Sequence, residues 1–371
     1  MSDNVIHANN GGYNGGYNGG YGGSARGSEI AMATALALTR DGIADPSDTK
    51  FYLKPTNPKG ADPLYDERAL VRWHPWVQVQ LGVQDALSHI VLTHLPNGAR
   101  DVVTMSLRDS AGGVSPVLSV ARPLEDTFKS QLSAVFAAAE LREERSPEIL
   151  MQIHEQWAFW SAILPKPLDM APNTQILLDV VYHLSTFVGM RFKHDFGCYR
   201  PTERSAQVQA MIPVPQHSTY PMGHATQAFA VAVILDKLIP GIGAPLRAQL
   251  FELARRIGNN RVVAGLHFPV DLLAGLVLGA RLSQVVLALA EGTAIGNKWE
   301  FVPEAHLSEF TYPTIESRLG QSVDDPTRQE TSKKPPPPAA APSSLPAKSD
   351  VLAAILSSAK QEWRFLNSDE A

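Results

Sequence analysis

Three clusters of basic and histidine residues stand out in an otherwise mildly acidic chain. The first reads Lys193-His-Asp-Phe-Gly-Cys-Tyr-Arg200-Pro201, the second His217-Ser-Thr-Tyr-Pro221-Met222-Gly223-His224, and the third Arg261-Val-Val-Ala-Gly-Leu-His267-Phe-Pro-Val-Asp271. Lysine and arginine supply fixed positive charge, and their hydrogen bonds to an oxyanion are stronger than neutral ones. Pro221 and Gly223 mark a tight turn that leads into an Ala-rich helical stretch. Free N–H groups and the helix dipole make such an N-terminus an anion site, and they disfavour cationic His224 unless an anion is near. Arg261 and His267 lie among apolar residues, where an unpartnered cation is expensive. With the segment helical around His267, Asp271 four residues on shares its face. A carboxylate on one ring nitrogen fixes the tautomer and frees the other as nucleophile or ligand. Each cluster also has a bland reading: Lys193 as a cation at a helix C-terminus, His224 as a cap, His267–Asp271 as a buried pair. The last leaves Arg261 unexplained.

The elements that must position these residues are mostly helical by period. Apolar stripes predict helices over 173–191 and 224–239, two runs within 262–290, and further helices over 124–142 and 147–163. Residues 51–122 are ambiguous, with 102–107 and 114–120 readable as short strands or turns. The expected fold class is therefore all-α, a helical bundle with long connections. Residues 1–28, with their Asn-Gly-Gly-Tyr near-repeat, read as a flexible arm. Residues 29–319 form the body, 320–349 a Pro-rich linker, and 350–371 a short amphipathic helix capped by Ser349 or Asp350. That helix docks on its own body or hooks a partner.

Among 371 residues there is one cysteine, Cys198, which excludes a disulfide-stapled scaffold. A net charge of −5 argues against a nucleic-acid-coating protein. The longest apolar run, Leu272–Leu289, is interrupted by Arg281, so no membrane span is expected. The apolar run at Ile30–Leu38 starts too deep for an ordinary signal peptide, and the expectation is a cytoplasmic product. Homo-oligomerisation is left open.

Taken together the clusters have the form Lys-x6-Arg-Pro, Pro-x-Gly-His, Arg-x5-His-x3-Asp over Lys193–Asp271. This resembles the superfamily shared by type 2 phosphatidic acid phosphatases, bacterial class A acid phosphatases and vanadium-dependent haloperoxidases. The resemblance implies a helical bundle whose Lys193, Arg200, Arg261 and Gly223 N–H grip an oxyanion. His267 would be the nucleophile toward phosphorus, or the protein ligand to the metal in vanadate; Asp271 would orient it and His224 would serve as acid–base. Absent membrane spans, a long folded stretch before Lys193, and His217 seven residues before His224 tilt the expectation toward the haloperoxidase branch. That branch implies vanadate as cofactor, with hydrogen peroxide, a halide (bromide favoured) and a small organic acceptor as partners, and His217 as a second active-site imidazole. The alternative is an acid phosphatase with no cofactor, taking a phosphate monoester through a phosphohistidine; a third is a non-catalytic oxyanion binder. A zinc site of His217, His224 and His267 is disfavoured by the neighbouring cations. Met222 stands where the family has a serine, and a thioether cannot donate a hydrogen bond. Losing that bond would cost ~1.5–3 kcal/mol of oxyanion binding. Asn260 likewise replaces a serine.

Overall fold

The computed structural model describes residues 34–39, 70, 72–96, 100–153, 156–303 and 345–366. Leu64–Gln152 with Gln156–Ala371 form one compact unit, which holds all three clusters. Met1–Pro63 with Ile153–Glu155 form the other unit, in which residues 34–39 are helical. The arm 1–28 and linker residues 320–344 lie outside the described residues.

In chain order the larger unit contains α1 (Pro75–His89), β1 (Ile90–Leu95), β2 (Val102–Arg108), β3 (Val114–Ala121), α2 (Glu125–Ala139), α3 (Arg142–Met151) and α4 (Trp157–Ile163). There follow α5 (Pro172–Phe196), the single turn α6 (Pro201–Arg204), α7 (Gly223–Leu238), α8 (Ala244–Val263), α9 (Pro269–Glu291), β4 (Trp299–Phe301) and α10 (Asp350–Leu366). The unit is mostly helical, but it is not the all-α bundle expected from sequence. Its four strands form one mixed sheet in the order β1-β2-β3-β4, antiparallel except for the parallel β3–β4 pair. Short apolar runs such as 102–107 have no period that separates strand from buried helix, and pairing with a distant partner decides the matter. The β2–β3 hairpin closes through the Asp109 carboxylate, which accepts from Ala111 N and Gly113 N, while Gly112 takes a φ of +84°.

Helix α7 lies at the centre, packed by α5, α8 and α9. It is apolar almost all round, as a helix enclosed by others must be. Glycines on α9 permit the close approach: a Cβ at Gly275 would stand 2.6 Å from the Met222 carbonyl oxygen, and one at Gly279 would strike the Thr226 carbonyl. Helix α9 is also long and apolar enough to cross a membrane by length and composition, contrary to the reading that Arg281 interrupts it. Of its most apolar window 89% is buried within the protein. Arg281 is accommodated by donating to Val117 O, Asn297 O and Gln284 Oε1 and by lying 4.8 Å over the Trp299 ring.

The C-terminal helix α10 packs on its own body, against α1, α5 and α9. Ser349 is the cap, its Oγ accepting from Leu352 N at 2.9 Å. In return the Glu362 carboxylate caps α5, accepting from Asn173 N at 2.9 Å and Thr174 N at 2.8 Å. Helix α5 carries Lys193 in its last turn, so α10 braces the scaffold of the first cluster. Gly279→Ala is expected to cost ~1–3 kcal/mol by overpacking α7 against α9. A lowered urea midpoint for the variant checks this; an unchanged midpoint contradicts the tight fit.

Candidate active site

The three clusters converge. Lys193 occupies the last turn of α5, which ends at Gly197 in the left-handed region (φ +57°). Its ammonium is buried and donates to Ser218 O at 2.9 Å and Thr219 O at 2.8 Å, both in the second cluster. Arg200 precedes Pro201, where the chain turns into α6. Its Nε donates to Pro215 O and His217 O, each at 3.1 Å, and its Nη1 to Leu266 O at 3.0 Å. Nη1 also lies 3.3 Å from His267 Nε2. Arg261, in the last turn of α8, donates through Nη2 to Ile149 O at 2.8 Å. Its Nε and Nη1 are buried and meet no partner among the described residues.

His267 is not on a helix, which corrects the shared-face reading of His267 and Asp271. Helix α8 ends at Val263, Gly265 turns the chain with a φ of +80°, and α9 begins only at Pro269. Asp271 is the third residue of α9, and its Oδ2 caps that helix by accepting from Phe268 N at 2.9 Å. The same oxygen lies 3.0 Å from His267 Nδ1. Nδ1 therefore carries the proton, and Nε2 presents its lone pair to Arg200.

Gly223 and His224 open α7. Nothing stands within 4 Å of where a Cβ at Gly223 would be, so its face is open to a ligand. His224 Nε2 donates to Gln152 O at 3.0 Å, which leaves Nδ1 for proton transfer. His217 is exposed, with Nδ1 3.2 Å from Arg200 Nη2; it joins the site through that arginine. Met222 places its side chain in the apolar core, while its N–H donates to Asp271 O at 2.9 Å.

Sequence reasoning missed the supports. Thr219, between the two motif ends, touches both His267 and Asp271. Asn260 ties α8 to the end of α3, donating to Gln152 Oε1 at 2.9 Å and Glu148 Oε2 at 3.1 Å. Glu148 is in turn gripped by Arg256. Thus Asn260 steadies the very residue whose carbonyl holds His224. Thr219 and Asn260 reach these partners across 48 to 112 positions of chain, so no local signal marks these supports.

Electrostatically the groups form one neighbourhood. Burial, then Arg261, pushes His224 down to about 3; Lys193 and Arg200 add to the effect. Burial, then Lys193 and Arg200, drives His267 well below the ordinary histidine value. Lys193 itself is lowered by burial and by Arg200. Burial raises Asp271, opposed by hydrogen bonds from Thr219 and the Phe268 N–H. Cys198 is pushed up to about 12 by burial and is a packing thiol. Three buried cations, two unpartnered guanidinium nitrogens and an open helix N-terminus fit a tetrahedral oxyanion, phosphate or vanadate alike.

Residues 176–293 match the PAP2 superfamily, a segment that includes all three clusters. An acid phosphatase of Zymomonas mobilis is 36% identical over 67 residues, 18% of this chain; the match spans about a quarter (23%) of that relative's length. Two solved structures are similar over less than half of this chain. One is a transmembrane PAP2-type phosphatidylglycerolphosphate phosphatase from Bacillus subtilis, 18% identical, covering 45% of this chain and 88% of its own, with a TM-score of 0.36. The other is Aquifex aeolicus LpxE, 22% identical, covering 42% and 94%, with a TM-score of 0.35.

An anion beside Lys193 restores its depressed pKa, so binding takes up protons wherever the free lysine is partly neutral. Titration calorimetry with inorganic phosphate at pH 8.5, in buffers of different ionisation enthalpy, should therefore show net proton uptake. Zero uptake or release would contradict a buried lysine at the anion.

Proposed function

We propose that the protein is a phosphoric ester hydrolase working through a phosphohistidine. The observation that carries this reading is His267 Nε2, freed as a nucleophile by the Asp271 contact at Nδ1 and held 3.3 Å from the guanidinium of Arg200. The acid phosphatase similarity supports hydrolysis and reverses the order of preference drawn from sequence, which had put the haloperoxidase first.

In this mechanism Lys193, Arg200, Arg261 and the Gly223 N–H hold the non-bridging oxygens of the ester. Nε2 of His267 attacks phosphorus and the bond to the ester oxygen breaks. The developing charge stays on oxygens already facing fixed cations, so little rearrangement is needed at the barrier. The leaving oxygen takes a proton delivered at His224 Nδ1. Water then attacks phosphorus, passes its proton to His224, and regenerates His267 with release of phosphate. Since His224 is pushed down to about 3 in the free protein, the proton arrives with the substrate monoanion, whose second ionisation lies near ~6.

The haloperoxidase reading would use the same cradle: Lys193, Arg200, Arg261 and His267 Nε2 would hold vanadate. What vanadate would supply is activation of hydrogen peroxide toward a halide; His217, 3.2 Å from Arg200, is the imidazole that would adjust that centre.

An aryl phosphate should be hydrolysed, with kcat/KM declining as pH rises above ~6 as the substrate loses its second proton. Orthovanadate should compete with it, and acid quench should trap an acid-labile phosphoprotein. His267→Ala should abolish turnover and labelling. Bromide- and peroxide-dependent bromination by vanadate-loaded protein, without ester hydrolysis, would replace the phosphatase by the haloperoxidase.

A further inference from the structure

Thr219 is fully buried, and its backbone and its hydroxyl meet different parts of the site. Its N–H donates to Cys198 O at 3.0 Å and its carbonyl accepts from the Lys193 ammonium at 2.8 Å, both in the first cluster. Its hydroxyl turns to the third cluster, donating to Asp271 Oδ2 with its oxygen 3.0 Å from His267 Nδ1. A hydroxyl has one proton, and here Asp271 receives it. What faces Nδ1 is therefore lone-pair density from two oxygens, Thr219 Oγ1 and Asp271 Oδ2. An imidazole with its proton on Nε2 would set a third lone pair against these two. The Nδ1–H tautomer instead finds two acceptors.

We propose that Thr219 is a positioning residue: its hydroxyl, together with Asp271, fixes the tautomer and orientation of His267, while its carbonyl fixes the Lys193 ammonium. One residue thereby sets the register between the nucleophile and a cation that receives the oxyanion. Threonine suits this task because its β-branched side chain is restricted about χ1 and holds the oxygen in place. The kinetic part of this inference rests on the phosphohistidine reading; the tautomer part does not.

The test compares Thr219→Val, which keeps the shape and removes the hydroxyl, with Thr219→Ser, which keeps the hydroxyl. Thr219→Val should lower kcat for an aryl phosphate by ~10–100-fold, as loss of an outer partner of a reactive imidazole does. KM should move by less than ~3-fold, since the cations that hold the ester remain. Thr219→Ser should restore most of the rate. In histidine-15N-labelled protein, with His267→Ala identifying the resonance, wild type and Thr219→Ser should show His267 protonated at Nδ1, and Thr219→Val a population protonated at Nε2. Should Thr219→Val fail to fold, Thr219→Ala carries the same comparison. A Thr219→Val protein with wild-type kcat, or with the His267 tautomer unchanged, overturns the proposal. Absent hydrolysis by the wild type itself would instead remove the phosphatase reading, and the nitrogen spectra would still decide the role of Thr219.

Discussion

Three buried cations, Lys193, Arg200 and Arg261, gathered about the buried His224 and His267, are the constraint on which the site depends; the Asp271 carboxylate offsets the lowered proton affinity of Lys193 and Arg200. Burying like charges together is costly, and ordinary ion pairing would remove the very charge an oxyanion needs. The protein answers with backbone dipoles. Lys193 is held by two carbonyls, Arg200 by three, and Arg261 by one. Carbonyl oxygens solvate a cation and fix its direction without neutralising it. The uncompensated charge is then available to a ligand, and it adds to burial, the larger cause, in lowering the proton affinities of Lys193, His224 and His267.

Holding carbonyls in such positions requires chain segments that do not wander, and the surrounding architecture provides this. The loop carrying the second cluster is tied to the sheet by Tyr220 Oη donating to Ala121 O at 2.9 Å. The end of α5 is tied there as well, through Arg122 Nε to Phe196 O at 3.0 Å. On another side, Arg256, Glu148, Asn260 and Gln152 link α8 to the end of α3, where the carbonyls that receive Arg261 and His224 are found. Sheet and helices thus serve one purpose, which is to aim peptide groups. The centre of the bundle, where α9 glycines let α7 approach, keeps the N-terminus of α7 beside the His267 loop.

The haloperoxidase preference rested partly on how much chain precedes Lys193. That stretch in fact builds α1, three strands, and α2 to α4, which pack around the cluster-bearing helices. Extra length is thus scaffold, and carries no information on whether the oxyanion is a substrate or a resident cofactor. Nor does the donor set separate the two, because phosphate and vanadate present the same oxygens to Lys193, Arg200 and Arg261.

By itself the sequence determined which charged and histidine residues are candidates for chemistry and where several of the helices run, because charge among apolar neighbours and a 3.6-residue period are local properties. It placed α5 and α7 within a few residues, read the region of the single helix α9 as two runs, left almost all of α8 unmarked, and marked Lys193, Arg200, His224, Arg261, His267 and Asp271. Only tertiary structure decided that 102–107 and 114–120 are strands, since each acquires its hydrogen bonds from a remote partner. It likewise decided that Asp271 reaches His267 from a helix cap rather than along a shared helical face. Thr219, Asn260 and the carbonyl of Gln152 took on roles for the same reason: their partners are 52 to 108 positions away, and a hydrogen bond across that distance leaves no trace in spacing or composition.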